Sequence, residues 1–137
     1  LFKNLSLASV KQQPKINIYG GNYQTKDGTC IRDYIHVSDI AMIHVAVLTK
    51  INKTNKSIIL NCGYGKGISV FEAIKEFQKQ TKKKFAVKIK SRRKGDMEEI
   101  IADISKIKRF IKWKPKANSL RKIVKTCIKW ENKIKLY

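Results

Sequence analysis

Acidic residues are scarce in this 137-residue chain: 10 Asp and Glu stand against 31 Lys and Arg, a formal charge of +21. Proline occurs twice and cysteine three times, at Cys30, Cys62 and Cys127. Three scattered thiols with no C-x-x-C pair exclude a disulfide framework and a zinc half-site. The odd count reads as reduced packing thiols in a cytoplasmic setting. Long apolar runs are missing too. The longest, Ile40 to Leu48, is interrupted by His44 and falls well short of the ~20 residues that span a bilayer, so no membrane segment is expected. The first residues lack the charged, apolar and small-residue order of a leader, and Leu1 in place of Met leads us to expect a chain that begins in mid-protein.

What is present is enough to fold. Apolar residues make up 42% of the chain, more than a disordered segment carries, and the length suits one domain or a piece of a larger one. The positive charge invites a nucleic-acid reading, because clustered cations release counterions on meeting phosphate. Yet only five of the 31 basic residues are arginine (Arg32, Arg92, Arg93, Arg109, Arg121). Lysine is the point charge of solvated faces, whereas phosphate and base recognition lean on the arginine fork. The lysines also travel with Ile and Asn throughout the chain, so we read the charge as compositional background rather than as a nucleic-acid surface.

The pattern of apolar residues alternates between strand and helix signatures. Ile16–Tyr19 reads as a strand stopped by Gly20-Gly21, and Ile31–Val37 as a second strand. Ser38 or Asp39 then caps a helix whose apolar positions Ile40, Ile43, Val47 and Leu48 keep helical spacing, ending at Asn52–Asn55. Ser57–Cys62 reads as a compact apolar strand before Gly63-Tyr-Gly65-Lys-Gly67. Ser69-Val-Phe-Glu72 is a capping box opening a helix, and Phe85–Lys90 alternates as a strand. Asp103 caps a short helix stopped by Trp113-Lys-Pro115, and Asn118 or Ser119 caps a final amphipathic helix through Trp130. The fold class is mixed α/β, without repeats.

Among possible sites, the glycine loop stands where a dinucleotide fingerprint would, after a strand and before a helix. Its spacing differs from G-x-G-x-x-G, because Ile68 holds the last glycine position, and no acidic residue closes a following strand about 20 residues on to hold a ribose. A tight turn with close backbone approach accounts for it better. His44 lies within a helix, and His36 at a strand end is placed to organise nearby backbone. A Cys30–His36 nucleophile pair lacks any visible oxyanion hole. Arg32 before an apolar strand, and Arg93 in a loop with Asp96, carry more. Two guanidiniums suit a diphosphate, and a neighbouring carboxylate suits the two hydroxyls of a ribose. On spacing alone, surface salt bridges explain these residues equally well.

The motifs that bear a family likeness are Asp27-Gly-Thr-Cys-Ile-Arg-Asp-Tyr-Ile-His-Val-Ser-Asp39, Asn61-x-Gly-x-Gly-x-Gly-x-Ser-Val70, Arg92-Arg93-x-Gly95-Asp96, Ala102-Asp103-x-Ser105-Lys106 and Trp113-Lys-Pro115. In order and spacing, from about Ile16 to Trp130, they resemble the UDP-glucose 4-epimerases of the extended short-chain dehydrogenase/reductase family. The resemblance implies an α/β C-terminal, substrate-binding portion of that fold, with residues 1–137 forming the nucleotide-sugar-binding part and the N-terminal Rossmann half, the NAD-binding domain, missing. It implies that Tyr19 and its backbone face the uracil and that Val70 closes that pocket. Arg32 and Arg93 would clamp the diphosphate with Tyr34 nearby, Asp96 would hold the ribose, and Ile100 would lie beside the hexose. The family's reaction interconverts UDP-glucose and UDP-galactose through transient oxidation at C4 with bound NAD, as a homodimer of galactose metabolism.

Two departures are local: Ser91 where many relatives have proline, and the lysine load. A larger one is the lack of the catalytic Tyr-x-x-x-Lys pair, since no tyrosine here has Lys four residues later. The isolated chain is therefore expected to be inactive, with no catalytic or metal-binding residue of its own. It is also expected to fold poorly alone, because strands belonging to a missing sheet leave open edges. The alternatives are another UDP-sugar epimerase on the same scaffold and, from a different class, a non-catalytic basic binding module.

Overall fold

A computed structural model describes residues 1–52 and 57–134 of the chain. In chain order its elements are α1 (Phe2–Ser9), β1 (Lys15–Tyr19), β2 (Ile31–Arg32), α2 (Val37–Ile51), β3 (Ile68–Ser69), α3 (Val70–Thr81), β4 (Ala86–Lys90), β5 (Glu99–Ile100), α4 (Ser105–Phe110) and α5 (Leu120–Ile134). β1 and β4 pair in parallel, with Ile16 opposite Val87 and Tyr19 opposite Lys90. A parallel pair needs a long crossover, and the chain between them supplies β2 and β3 of a second sheet and the helices α2 and α3, with β5 joining that sheet after β4. In that sheet β2 is central, antiparallel to β3 and parallel to β5, so that Arg32 stands opposite both Ile68 and Ile100.

Two apolar clusters hold these elements. In the larger one α1, α3 and α5 enclose Leu5, Ala73, Phe77 and Val124, all fully buried, and pack on Ile18 of β1 and on Phe85. Burying each large side chain of this kind stabilises by about 1.5–3 kcal/mol. The smaller cluster joins α2 to α4 through Ile43, Ile107 and Ile111. The helix at the start meets the helix at the end through a polar contact as well: Glu131, itself buried, accepts from Lys3 Nζ at 2.6 Å and from Ser6 Oγ at 3.3 Å.

The capping box on α3 is present in full, with Ser69 Oγ accepting from the Glu72 amide at 3.0 Å and Glu72 Oε2 accepting from the Ser69 amide at 2.7 Å. Other expectations are corrected. The strand expected over Ile31–Val37 is only two residues long, because the Asp33 carboxylate turns aside to accept the Tyr64 and Gly65 amides. α2 is capped by His36, whose Nδ1 accepts from the Ser38 amide, rather than by Ser38 or Asp39. Ser57–Cys62 forms no strand, since none of the described strands pairs with it, and Ile59 is 85% exposed. Asp103 accepts from the Ser105 amide, but the N-cap of α4 is Ile104, without a side-chain cap, and the helix already ends at Phe110, ahead of the Trp113-Lys-Pro115 stop. Ser119, not Asn118, caps α5 by accepting from the Lys122 amide. α2 ends as expected, with Asn52 as its C-cap, and the rest of the expected end, residues 53–55, lies outside the described residues. Among the described residues no helix is long and apolar enough to cross a membrane.

Candidate functional site

β1 is bonded to β4 along one edge and has no partner strand along the other among the described residues. That open edge borders a cleft of about 270 Å³, whose wall includes the four successive residues Ile16 to Tyr19. Side chains alternate across a strand, so four in a row mean that the cleft meets the edge itself, with its free backbone donors and acceptors. Across the cleft stand Arg32 and Tyr34, just beyond β2, together with Cys30, Arg93 and Val70, the first residue of α3.

The two arginines come together there. Arg93 Nε donates to Asp96 Oδ2 at 2.9 Å, and Arg32 Nη2 lies 4.0 Å from the other oxygen, Oδ1. Arg32 is braced further by Nη1 to the Ile31 carbonyl at 2.7 Å and Nη2 to the Met97 carbonyl at 2.8 Å. The Arg93 guanidinium lies 4.9 Å from the centre of the Tyr19 ring, a cation–π distance. Its bond to Asp96 raises its pKa further above the ordinary arginine value. Tyr34 packs its ring 4.6 Å from that of Phe2, and burial, partly countered by Arg32, pushes its phenol up to about 12. At neutral pH it is therefore an uncharged donor. Of the residues singled out from sequence, Tyr19, Arg32, Tyr34, Val70 and Arg93 line the cleft, and Asp96 bridges its two arginines. Ile100 is set apart: it faces Arg32 in the strand register, is half exposed, and is not among the lining residues.

Several supporting residues were not foreseen. Arg92, noted only as the neighbour of Arg93, places its guanidinium 4.0 Å over the buried Tyr23 ring and bonds Asn22 Oδ1 through Nε at 2.8 Å. It thereby fastens the 20–28 hook to the loop that carries Arg93 and Asp96. Asp27 accepts from Thr29 Oγ1 at 2.6 Å and from the Ser69 hydroxyl, tying the same hook to the start of α3. Burial raises its carboxyl, but those hydroxyl bonds outweigh it and leave the pKa below the ordinary value. Asp39 is fully buried and accepts from the Lys116 amide at 3.0 Å, the Ala117 amide at 2.9 Å and the Tyr64 hydroxyl at 2.6 Å. Again burial pushes upward and the three donors prevail, lowering its pKa. A doubled-up arginine and two aspartates in a short motif were the available signals.

The glycine loop is filled by the protein itself. A Cβ at Gly63 would overlap the Asp33 carboxylate, and Gly65, at φ +65°, donates to Asp33 Oδ2 at 2.8 Å. A dinucleotide phosphate finds no cradle there, so these residues do not fit NAD. His36 organises backbone as expected and its Nε2 lies 2.9 Å from Thr126 Oγ1, whereas His44 is exposed and bonded to the Ile40 carbonyl. Among the described residues no cluster could hold a metal ion. A second cavity of about 470 Å³ lies between the 64–68 loop, α3 and the start of α5, where Lys66, Lys75 and Lys79 are balanced by Glu72 and Glu76. It has no arginine in its lining.

With this geometry in view, the sequence profile described as GDP-mannose 4,6 dehydratase matches residues 3–127. The chain belongs to that family. Its relatives there are sugar-nucleotide epimerases. It is 37% identical over 134 residues to a UDP-glucose 4-epimerase of Azospirillum brasilense, a match covering 98% of this chain and 38% of that protein. It superposes on the UDP-Glc/GlcNAc 4-epimerase of Campylobacter jejuni with a TM-score of 0.86 and 41% identity, covering 96% of this chain and 40% of that one. It also superposes on a UDP-glucose 4-epimerase of Stenotrophomonas maltophila, solved with NAD and formylated UDP-arabinopyranose, with a TM-score of 0.92 and 34% identity over 99% and 40% of the two chains. The chain thus spans about 40% of the length of these structures and corresponds to their C-terminal part.

Proposed function

We propose that residues 1–137 are the nucleotide-sugar-binding portion of a UDP-sugar 4-epimerase, the parent enzyme interconverting UDP-glucose and UDP-galactose. The open edge of β1 near Tyr19 offers backbone donors and acceptors to the uracil, and Val70 closes that side. Arg32 and Arg93 receive the diphosphate, with the neutral Tyr34 hydroxyl beside them. Asp96 receives the ribose hydroxyls, and Ile100 lies toward the hexose. NAD supplies the C4 oxidation in the parent, but this chain carries neither its glycine loop nor the Tyr-x-x-x-Lys pair. In this reading the parent is a cytoplasmic homodimer of galactose metabolism. The two neighbours are named for, or bound to, different sugars that have UDP in common, which supports UDP as the recognised group.

The observation that carries it is the meeting of two arginines, distant in sequence, on one carboxylate beside a strand-edged cleft. The test is calorimetric titration of the 137-residue chain with UDP and with UMP at constant ionic strength. A charge-assisted hydrogen bond is worth about 1.5–3 kcal/mol, so Arg93→Ala is expected to weaken UDP by roughly tenfold or more while changing UMP far less. Equal UDP affinity in the two proteins, or an equal loss for UMP, refutes the clamp. A non-catalytic polycation would instead bind nucleic acid with a steep salt dependence that survives Arg93→Ala.

A further inference from the structure

We propose that Asp96 is a specificity-determining residue that occupies the anion position of this cleft itself, so that only a diphosphate bearing a ribose diol displaces it productively. The inference rests on the UDP-clamp reading above and assigns Asp96 a second role, acting before the ligand arrives. Its two oxygens are divided between the two guanidiniums, Oδ2 at 2.9 Å from Arg93 Nε and Oδ1 at 4.0 Å from Arg32 Nη2. Asp96 is not itself among the residues lining the cleft, but a carboxylate paired with both forks competes with an incoming diphosphate for the same guanidinium donors. The two guanidiniums are held unequally. Arg32 is fixed by the Ile31 and Met97 carbonyls, whereas the Arg93 side chain is 64% exposed. Gly95, beside Asp96, sits at φ +84° with no atom within 4 Å of an added Cβ, so the turn itself is not packed against the rest of the chain on that side.

The consequence follows from charge. Once displaced, Asp96 remains close to the phosphates, and like charges repel unless the carboxylate finds donors. A ribose supplies two hydroxyl donors for it. Inorganic pyrophosphate supplies none, and a 2′-deoxyribose one fewer. Asp96 therefore rejects free polyphosphate anions, which a chain of charge +21 would otherwise gather.

The test is calorimetry of the whole chain with inorganic pyrophosphate, UDP and 2′-deoxy-UDP at constant ionic strength. Asp96→Asn is expected to bind pyrophosphate about tenfold more tightly than the unaltered chain, the scale of one lost ion pair plus relieved repulsion. Its UDP affinity does not rise with it, so the preference for UDP over pyrophosphate narrows by about the same factor. Adding Arg93→Ala to Asp96→Asn abolishes the gain. Unchanged or weaker pyrophosphate binding by Asp96→Asn overturns the proposal, as does a gain that persists without Arg93. On the unaltered chain, 2′-deoxy-UDP is expected to bind several-fold more weakly than UDP, and equal affinities overturn the proposal without any variant. If the pyrophosphate gain occurs but the unaltered chain fails to bind UDP, the UDP reading falls and the anion competition stands.

Discussion

Replacing Asp39 with alanine is expected to cost about 3–4 kcal/mol of folding stability. Three donors converge on this fully buried carboxylate: the Lys116 and Ala117 amides and the Tyr64 hydroxyl. Hydrogen bonds to a charged acceptor are each worth about 1.5–3 kcal/mol net, and a stranded buried donor costs about 1–3 kcal/mol. The three contributions do not add in full, because Lys116 is exposed and Tyr64 half-buried, so both regain water, while the Ala117 amide is buried and does not. Asp39→Asn retains one oxygen and opposes its amide group to a single donor, so roughly half the loss, about 1–2 kcal/mol, is expected. The assay is urea unfolding followed by tryptophan fluorescence, since Trp113 packs against the smaller cluster beside this hub. The carboxyl is depressed in the folded chain. Its contribution is therefore complete above the ordinary carboxylate pKa of about 4 and is lost as pH falls through the lower folded value. Asp39→Ala accordingly flattens the acid limb of the stability profile. A loss below about 1 kcal/mol, or indistinguishable effects of Asn and Ala, refutes the reasoning.

Leu5→Ala is expected to cost about 2–5 kcal/mol, because Leu5 is fully buried where α1 meets the larger cluster; a loss near zero in the same unfolding assay means that α1 is not part of the folded unit. The purified 137-residue chain supplied with NAD and UDP-galactose is expected to form no UDP-glucose, and any turnover above background in a coupled assay contradicts the assignment of catalysis to residues outside this sequence.

Local signals in the sequence located most elements, and the reasons differ where they did not. The capping box from Ser69 to Glu72 is a pair of contacts three residues apart, legible in a string, and it formed as read. α1 escaped notice because its buried face carries Ser6 and Ser9, whose hydroxyls bond back to the Lys3 and Ser6 carbonyls and so pass as polar surface. Ile31–Val37 looked like one strand because β-branched residues say nothing of Asp33 reaching across to the 64–65 amides. Ser57–Cys62 has the composition of a buried strand and lacks the partner that would make it one. At the cleft, the sequence singled out Arg32, Arg93 and Asp96, and the structure brings the three together, because two arginines and one acid among few acids leave little choice of partner. The Arg92–Tyr23 stack could not, since it joins two loops through a contact that neither segment encodes alone.

Arg32 binds three backbone carbonyls, those of Ile31, Met97 and Glu98, besides facing Asp96. It is at once a rivet between β2 and the segment entering β5 and, in the proposed clamp, half of the anion receptor. Damage at this position therefore conflates two failures: a chain with a truncated side chain there loses ligand affinity whether or not the guanidinium ever touches phosphate. Mutational dissection of the receptor belongs on Arg93, which carries no such architectural duty, and a phenotype at Arg32 reports first on the seam between strands.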